Sequence, residues 1–115
     1  MDIKECYKEM GGDYEDIFFR LKNISLITKI VKKFNDDQSF NELEKALNEK
    51  NVEEAFRAAH TLKGICLNLS FKQLTDDTVE ITEILRAGSF EGTDELFKKI
   101  KEEYKKTVET IKQLD

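Results

Sequence analysis

The sequence predicts an all-α protein: an antiparallel four-helix bundle with short additional N-terminal helices. Three observations lead there. The 115 residues include no proline and only five glycines, which suits long uninterrupted helices better than a turn-rich β fold. Apolar residues recur at spacings of three and four along the chain, and no segment alternates as a half-buried strand would. The breaks between these stripes are short, and short connections make consecutive helices antiparallel neighbours.

Each element has its own signal. Ile3, Cys6, Tyr7 and Met10 form the first stripe, and Gly11-Gly12 stops it. Asp13 is placed to cap the next helix, whose apolar face is Tyr14, Ile17, Phe18 and Leu21. Asn23 or Ser25 marks a kink or a fresh start, and the face continues through Ile24, Ile27, Ile30, Val31 and Phe34. Asn35-Asp36-Asp37 breaks it. Ser39-Phe40-Asn41-Glu42 reads as a capping box opening a helix with Phe40, Leu43, Ala46 and Leu47 inward. Asn51-Val52-Glu53-Glu54 starts another, with acidic residues in the turn where the helix dipole favours them. Ser70-Phe71-Lys72-Gln73 reads as a second capping box. The helix it opens faces the core with Leu74, Thr78, Ile81, Ile84 and Leu85 and stops near Gly88. Gly92-Thr93 opens the last helix, lined by Phe97, Ile100, Tyr104, Val108, Ile111 and Leu114.

Length and composition bound the function. A chain of 115 residues is one domain, with N-terminal helices in 1–36 and the remaining bundle helices in 39–115. The net charge is −5 and no basic block stands out, which argues against nucleic acid as a partner. Cys6 and Cys66 have neither metal-motif spacing nor disulfide density, so a reduced, cytoplasmic protein without a metal is expected. No signal-peptide pattern and no membrane-length apolar run occur, so no membrane role is expected. A bundle of this size should be stable alone, and a monomer is expected.

His60 is the single histidine. Each helical residue advances by about 100°, so with His60 at zero the residues Ala55, Ala58, Ala59, Leu62, Ile65, Cys66 and Leu69 fall between roughly 140° and 260°. That continuous apolar arc is the core face, and His60 lies nearly opposite its centre. Phe56, Lys63, Gly64, Leu67 and, if the helix extends so far, Phe71 fall within roughly 60° of His60, with Arg57 and Asn68 flanking them. Apolar residues grouped on a solvent-side face around a reactive group suggest a docking surface. Cover by the N-terminal helices is the alternative for Phe56, Leu67 and Phe71.

A neutral imidazole is a nucleophile near neutral pH, and its outer nitrogen can attack phosphorus. Lys63, one turn on, is placed to shield the charge of a resulting phosphoramidate. Gly64 leaves room for a large donor. Glycine inside a helix costs on the order of 1 kcal/mol relative to alanine, so its use here points to a need for space. Cys66 lies on the core arc, roughly 120° from His60, which disfavours a Cys-His dyad. One histidine without a cysteine cluster supplies no metal site.

His60-Thr61-Leu62-Lys63-Gly64, followed by Asn68-Leu69, resembles the motif of histidine-containing phosphotransfer (HPt) domains of two-component phosphorelays. The motif there runs His, any residue, Leu, Lys, Gly, then a Leu-Gly or similar pair. The resemblance implies His60 as phosphoacceptor, Lys63 as stabiliser of the phosphoryl group and Gly64 as the opening to the imidazole. It implies receiver domains as partners, docking over Phe56, Arg57, Leu67, Asn68 and Phe71, with a hybrid sensor kinase as a further candidate source of phosphate. It implies a phosphoryl carrier, not an enzyme, with no cofactor of its own; Mg²⁺ belongs to the receiver's acidic pocket. No Walker-type loop or glycine-rich ATP lid occurs in the chain, in keeping with that role. One departure is Ser70, where the family usually has glycine; Ser70 is expected to cap the next helix with Gln73. Two other readings remain beside transfer between receivers: a receiver-binding domain that no longer transfers, and the phosphoacceptor domain of a separate sensor kinase.

Overall fold

Asp2, Asp13, Asn23 and Asn51 each turn a side-chain oxygen onto the backbone amide three residues ahead, at 2.8, 3.1, 3.0 and 3.1 Å, and each begins a helix. Such caps satisfy amides that a helix start leaves free and contribute about 1 kcal/mol apiece. The computed structural model describes all residues 1–115 and contains only helices, turns and loops. Its elements are α1 (Ile3–Met10), α2 (Tyr14–Leu21), α3 (Ile24–Lys33), a 3₁₀ turn (Phe34–Asp36), α4 (Ser39–Asn48), α5 (Val52–Asn68), α6 (Lys72–Arg86) and α7 (Thr93–Ile111).

Helix α5 is the central element. It packs most extensively on α4 and α6, and α6 in turn packs on α7. Ala55, Ala58 and Ala59 are buried on α5. Their small side chains let the neighbouring helices approach closely, while Leu62, Cys66 and Leu69 fill the space further along. The bundle closes through aromatic contacts: the Phe40 ring of α4 stacks on Tyr104 at 3.9 Å and on Phe97 at 5.3 Å, both on α7. Helices α1 to α3 add to the same core rather than forming another. Ile3, Cys6, Tyr7, Met10, Ile17, Ile27 and Val31 are buried in it.

Three sequence expectations are corrected. Ile24 does not belong to the inward stripe: it is the first residue of α3 and is 56% exposed, because the chain enters from Asn23 on the outside. The Ser39–Glu42 capping box does not form. Ser39 is already helical, and its amide donates to the Asp37 carboxylate at 2.9 Å. The Ser70–Gln73 box does not form either. Ser70 has φ +57°, and α6 begins after Phe71.

Ser70 instead supplies the left-handed residue that ends α5. The Ser70 amide donates to Leu67 O at 3.1 Å and the Phe71 amide to Cys66 O at 3.0 Å, the paired bonds of a Schellman turn. Glycine usually occupies that position because it carries no Cβ penalty. Here the serine side chain is held from outside: its hydroxyl donates to Asp16 Oδ2 at 2.6 Å and accepts from the Arg20 guanidinium at 2.7 Å. The Ser70 bond, with Arg20 beside it, holds the Asp16 carboxyl below the usual range.

Candidate functional site

His60 sits near the middle of α5 and is exposed, while Ala55, Ala58, Ala59, Leu62, Cys66 and Leu69 of the same helix are buried. Ile65, at the edge of that arc, is half-buried. The two faces of α5 are therefore separated as the helical wheel requires. Arg57 and Thr61, beside His60, hydrogen-bond locally: Arg57 to the Glu54 carboxylate at 2.9 Å, and the Thr61 hydroxyl to Arg57 O at 3.0 Å. Neither ring nitrogen of His60 hydrogen-bonds to a protein group. The imidazole instead stacks on Phe56, one turn back, with ring centroids 5.8 Å apart and planes inclined by 25°.

Gly64 is the next turn of the same face. A Cβ built on it would meet nothing within 4 Å. Its backbone is ordinary helix, without the positive φ of Gly11, Gly88 and Gly92. No internal contact and no backbone conformation therefore calls for glycine at this position, although it lowers helix stability. The open side of Gly64 faces solvent beside His60. Lys63 is half-buried and makes no ion pair within the chain, so its ammonium is uncommitted.

The remaining expected docking residues divide. Leu67 is 52% exposed, among the most exposed large apolar residues of the chain. Arg57 is exposed and paired with Glu54. The Asn68 side chain is exposed, while its carbonyl accepts from Arg20 at 2.8 Å. Phe56 is half-buried and rests against the core. Phe71 is not on this surface at all: it is 2% exposed, with its ring 5.1 Å from Phe34 and 5.6 Å from Tyr7. Placing it beside His60 requires α5 to run on through residue 71, and the left-handed turn at Ser70 sends the chain inward instead.

Arg86, from the last turn of α6, is a member of this surface that the sequence does not reveal. Its guanidinium lies 4.9 Å from the centre of the Phe56 ring and pairs with Glu83 at 3.2 Å. Thirty positions separate Arg86 from Phe56, so local spacing carries no trace of the contact.

Burial pushes the Cys6 thiol up to about 11 and the Cys66 thiol up to about 12, so neither is a ready nucleophile. No group of His, Cys, Asp and Glu side chains converges as metal ligands would. The largest cleft, about 630 Å³, is lined by residues of the N-terminal segment and Lys72 and includes no residue of α5. No helix is long and apolar enough to cross a membrane.

No curated protein matches the chain, and no solved structure does. A family model, that of the Hpt domain, matches residues 36–113. The match spans α4 to α7 and includes His60, Lys63 and Gly64 in sequence. More than half of the chain is covered, and the chain belongs to the Hpt domain family, whose members carry phosphoryl groups on histidine in two-component signalling and interact with response-regulator receiver domains.

Proposed function

We propose that the protein is a phosphorelay intermediate in which His60 accepts a phosphoryl group from an aspartyl phosphate on a receiver domain and passes it to another receiver. The observation that carries this reading is the pairing of an exposed, unbonded imidazole with an empty turn at Gly64 on the same face of α5. A nucleophile that must meet phosphorus inside another protein's pocket needs a clear approach and a free lone pair. His60 has both.

The step balances without a further reactant. The outer nitrogen of neutral His60 attacks phosphorus in line, an N–P bond forms, and the P–O bond to the aspartyl carboxylate breaks. The carboxylate leaves with the bonding pair. Transfer onward is the reverse, with a second receiver's carboxylate as nucleophile. Lys63, one turn from His60, is the residue whose ammonium offsets the negative charge of the phosphoramidate. The receiver docks over Gly64 and Leu67, with Arg57 and Asn68 at the polar rim. The chain supplies no cofactor to the step; Mg²⁺ is held in the receiver's acidic pocket. We place the reaction in the cytoplasm, with the protein a monomer between transfers.

Incubation with a receiver labelled on its aspartate tests the reading. Acid-labile label is expected on the wild-type chain and not on His60→Gln. Equal labelling of both overturns it.

A further inference from the structure

A histidine that does chemistry usually has its ring plane set by a hydrogen bond on the nitrogen that does not react. His60 has no such partner within the chain. Its one specific contact is the Phe56 ring, at 5.8 Å and 25°. That separation lies inside the range in which aromatic rings attract each other. The two residues are four apart on one helix, so their side chains are stacked neighbours by geometry.

Phe56 is in turn held from a second helix. The Arg86 guanidinium of α6 lies 4.9 Å from the centre of its ring, close enough for a cation–π contact. Arg86 is fixed by Glu83, one turn back on α6, at 3.2 Å. The lower part of Phe56 packs against the core. The result is a chain of contacts from the Glu83 carboxylate to Arg86, to Phe56, to the imidazole.

We propose that Phe56, braced by Arg86, is the positioning residue that orients the His60 ring for phosphoryl transfer. The proposal rests on His60 being the phosphoacceptor. It assigns Phe56 a role within the chain rather than a contact with the docked receiver. A stacked aromatic pair biases a side chain by roughly threefold to tenfold in population, and a tighter near-attack orientation converts directly into rate. The stack leaves both ring nitrogens free, which a hydrogen bond on one nitrogen would not. That suits a residue whose two partners approach it from solvent in turn.

The experiment separates positioning from docking by using a donor too small to dock. Phosphoramidate transfers its phosphoryl group to the imidazole as its own P–N bond breaks and ammonia leaves. Phe56→Leu keeps apolar bulk and removes the ring; Phe56→Tyr keeps the stack. Phosphoramidate labelling of His60 is expected to slow by about three- to tenfold in Phe56→Leu and to recover in Phe56→Tyr. Arg86→Gln should slow it less, in the same direction. Proton NMR of the free protein gives a readout that does not depend on phosphate: the His60 ring protons should lose the shielding of the Phe56 ring in Phe56→Leu and regain it in Phe56→Tyr. Unchanged ring-proton shifts in Phe56→Leu overturn the proposal. So does a defect confined to the receiver reaction, which makes Phe56 a docking residue. Equal labelling of wild type and His60→Gln refutes the phosphoacceptor reading instead, and the ring-proton shifts then still decide whether the stack exists.

Discussion

The Tyr7 hydroxyl donates a 2.6 Å hydrogen bond to the carbonyl of Leu69. It joins α1 to the end of the His60 helix, and it is one of three such bonds. Asn68 O accepts from Arg20 at 2.8 Å, and Ser70 O accepts from the Asp13 amide at 2.8 Å. Three consecutive carbonyls at the α5–α6 corner are thus satisfied by residues of the N-terminal segment. A helix end that is buried must have its free carbonyls met by something, and here the partner is a stretch of chain that precedes residue 36, where the family match begins. The N-terminal segment therefore completes the end of α5.

Tyr7→Phe tests that dependence. Burial raises the Tyr7 phenol well above its ordinary range, so the hydroxyl stays a donor at any pH the protein meets. Removing it leaves the Leu69 carbonyl buried without a partner. The expected loss is about 1–3 kcal/mol in urea unfolding, with His60 labelling in the folded protein unchanged.

Ser70 combines an unfavourable backbone with favourable side-chain bonds, and two substitutions separate them. Ser70→Ala keeps a Cβ at φ +57° and loses the bonds to Asp16 and Arg20. Ser70→Gly loses the same bonds and relieves the left-handed conformation. Both should be less stable than wild type, and the glycine variant should exceed the alanine variant by about 1 kcal/mol. Equal midpoints in urea would show that the turn carries no strain.

The helices were legible because each rests on signals within a few residues: Asp13 and Asn51 cap where expected, the break read at Asn23 or Ser25 is a fresh start capped by Asn23, and the α5 stripe is buried in the order the wheel assigns. The arrangement of the candidate site was legible for the same reason, since His60, Lys63 and Gly64 lie within two turns of one helix. What escaped depends on distant partners. Ser70 matches a capping pattern, but its backbone is left-handed, Asp16 and Arg20, about fifty positions earlier, hold its hydroxyl, and the Gln73 amide donates to Gly11 O at 3.3 Å instead. Phe71 shares the His60 face only on an imaginary extension of α5. Arg86 reaches Phe56 through the packing of α6 on α5, which no local spacing encodes.

Gly64 should trade stability against function. Its Cβ space is empty and its backbone is helical, so Gly64→Ala is expected to raise stability by about 1 kcal/mol. The methyl group is small, and transfer from a receiver should survive it. Gly64→Gln also fits the free protein but projects into the approach to His60. It should cut receiver-dependent labelling by at least about tenfold, a loss of the size a misplaced donor causes, while folding stays intact. Full labelling of the glutamine variant would remove the case for an approach path at this turn.

A partly buried acidic pair lies away from the site, between α6 and α7. Asp77 is 6% exposed and pairs with Lys99 at 3.3 Å. Glu103 Oε2 is buried without a hydrogen-bond partner. Burial pushes the Glu103 carboxyl up to about 8; Asp77 adds to the shift, as an acceptor for the proton Glu103 then carries and through its charge, Lys99 opposes it, and Asp76 adds to it. Lys99 itself is raised by Asp77, with Glu103 and Glu80 contributing. The sign follows from proton counting. Between the ordinary glutamate range and about 8, folded Glu103 holds a proton that the unfolded chain has released. Stability from this group is complete below that range and falls as pH rises, levelling off above about 8. Glu103→Gln keeps the neutral shape and removes the titration, so its stability should vary less with pH across that interval than the wild type's. Urea midpoints measured from pH 5 to pH 9 decide it: parallel curves for the two proteins would mean that Glu103 is ionised in the fold like any surface glutamate.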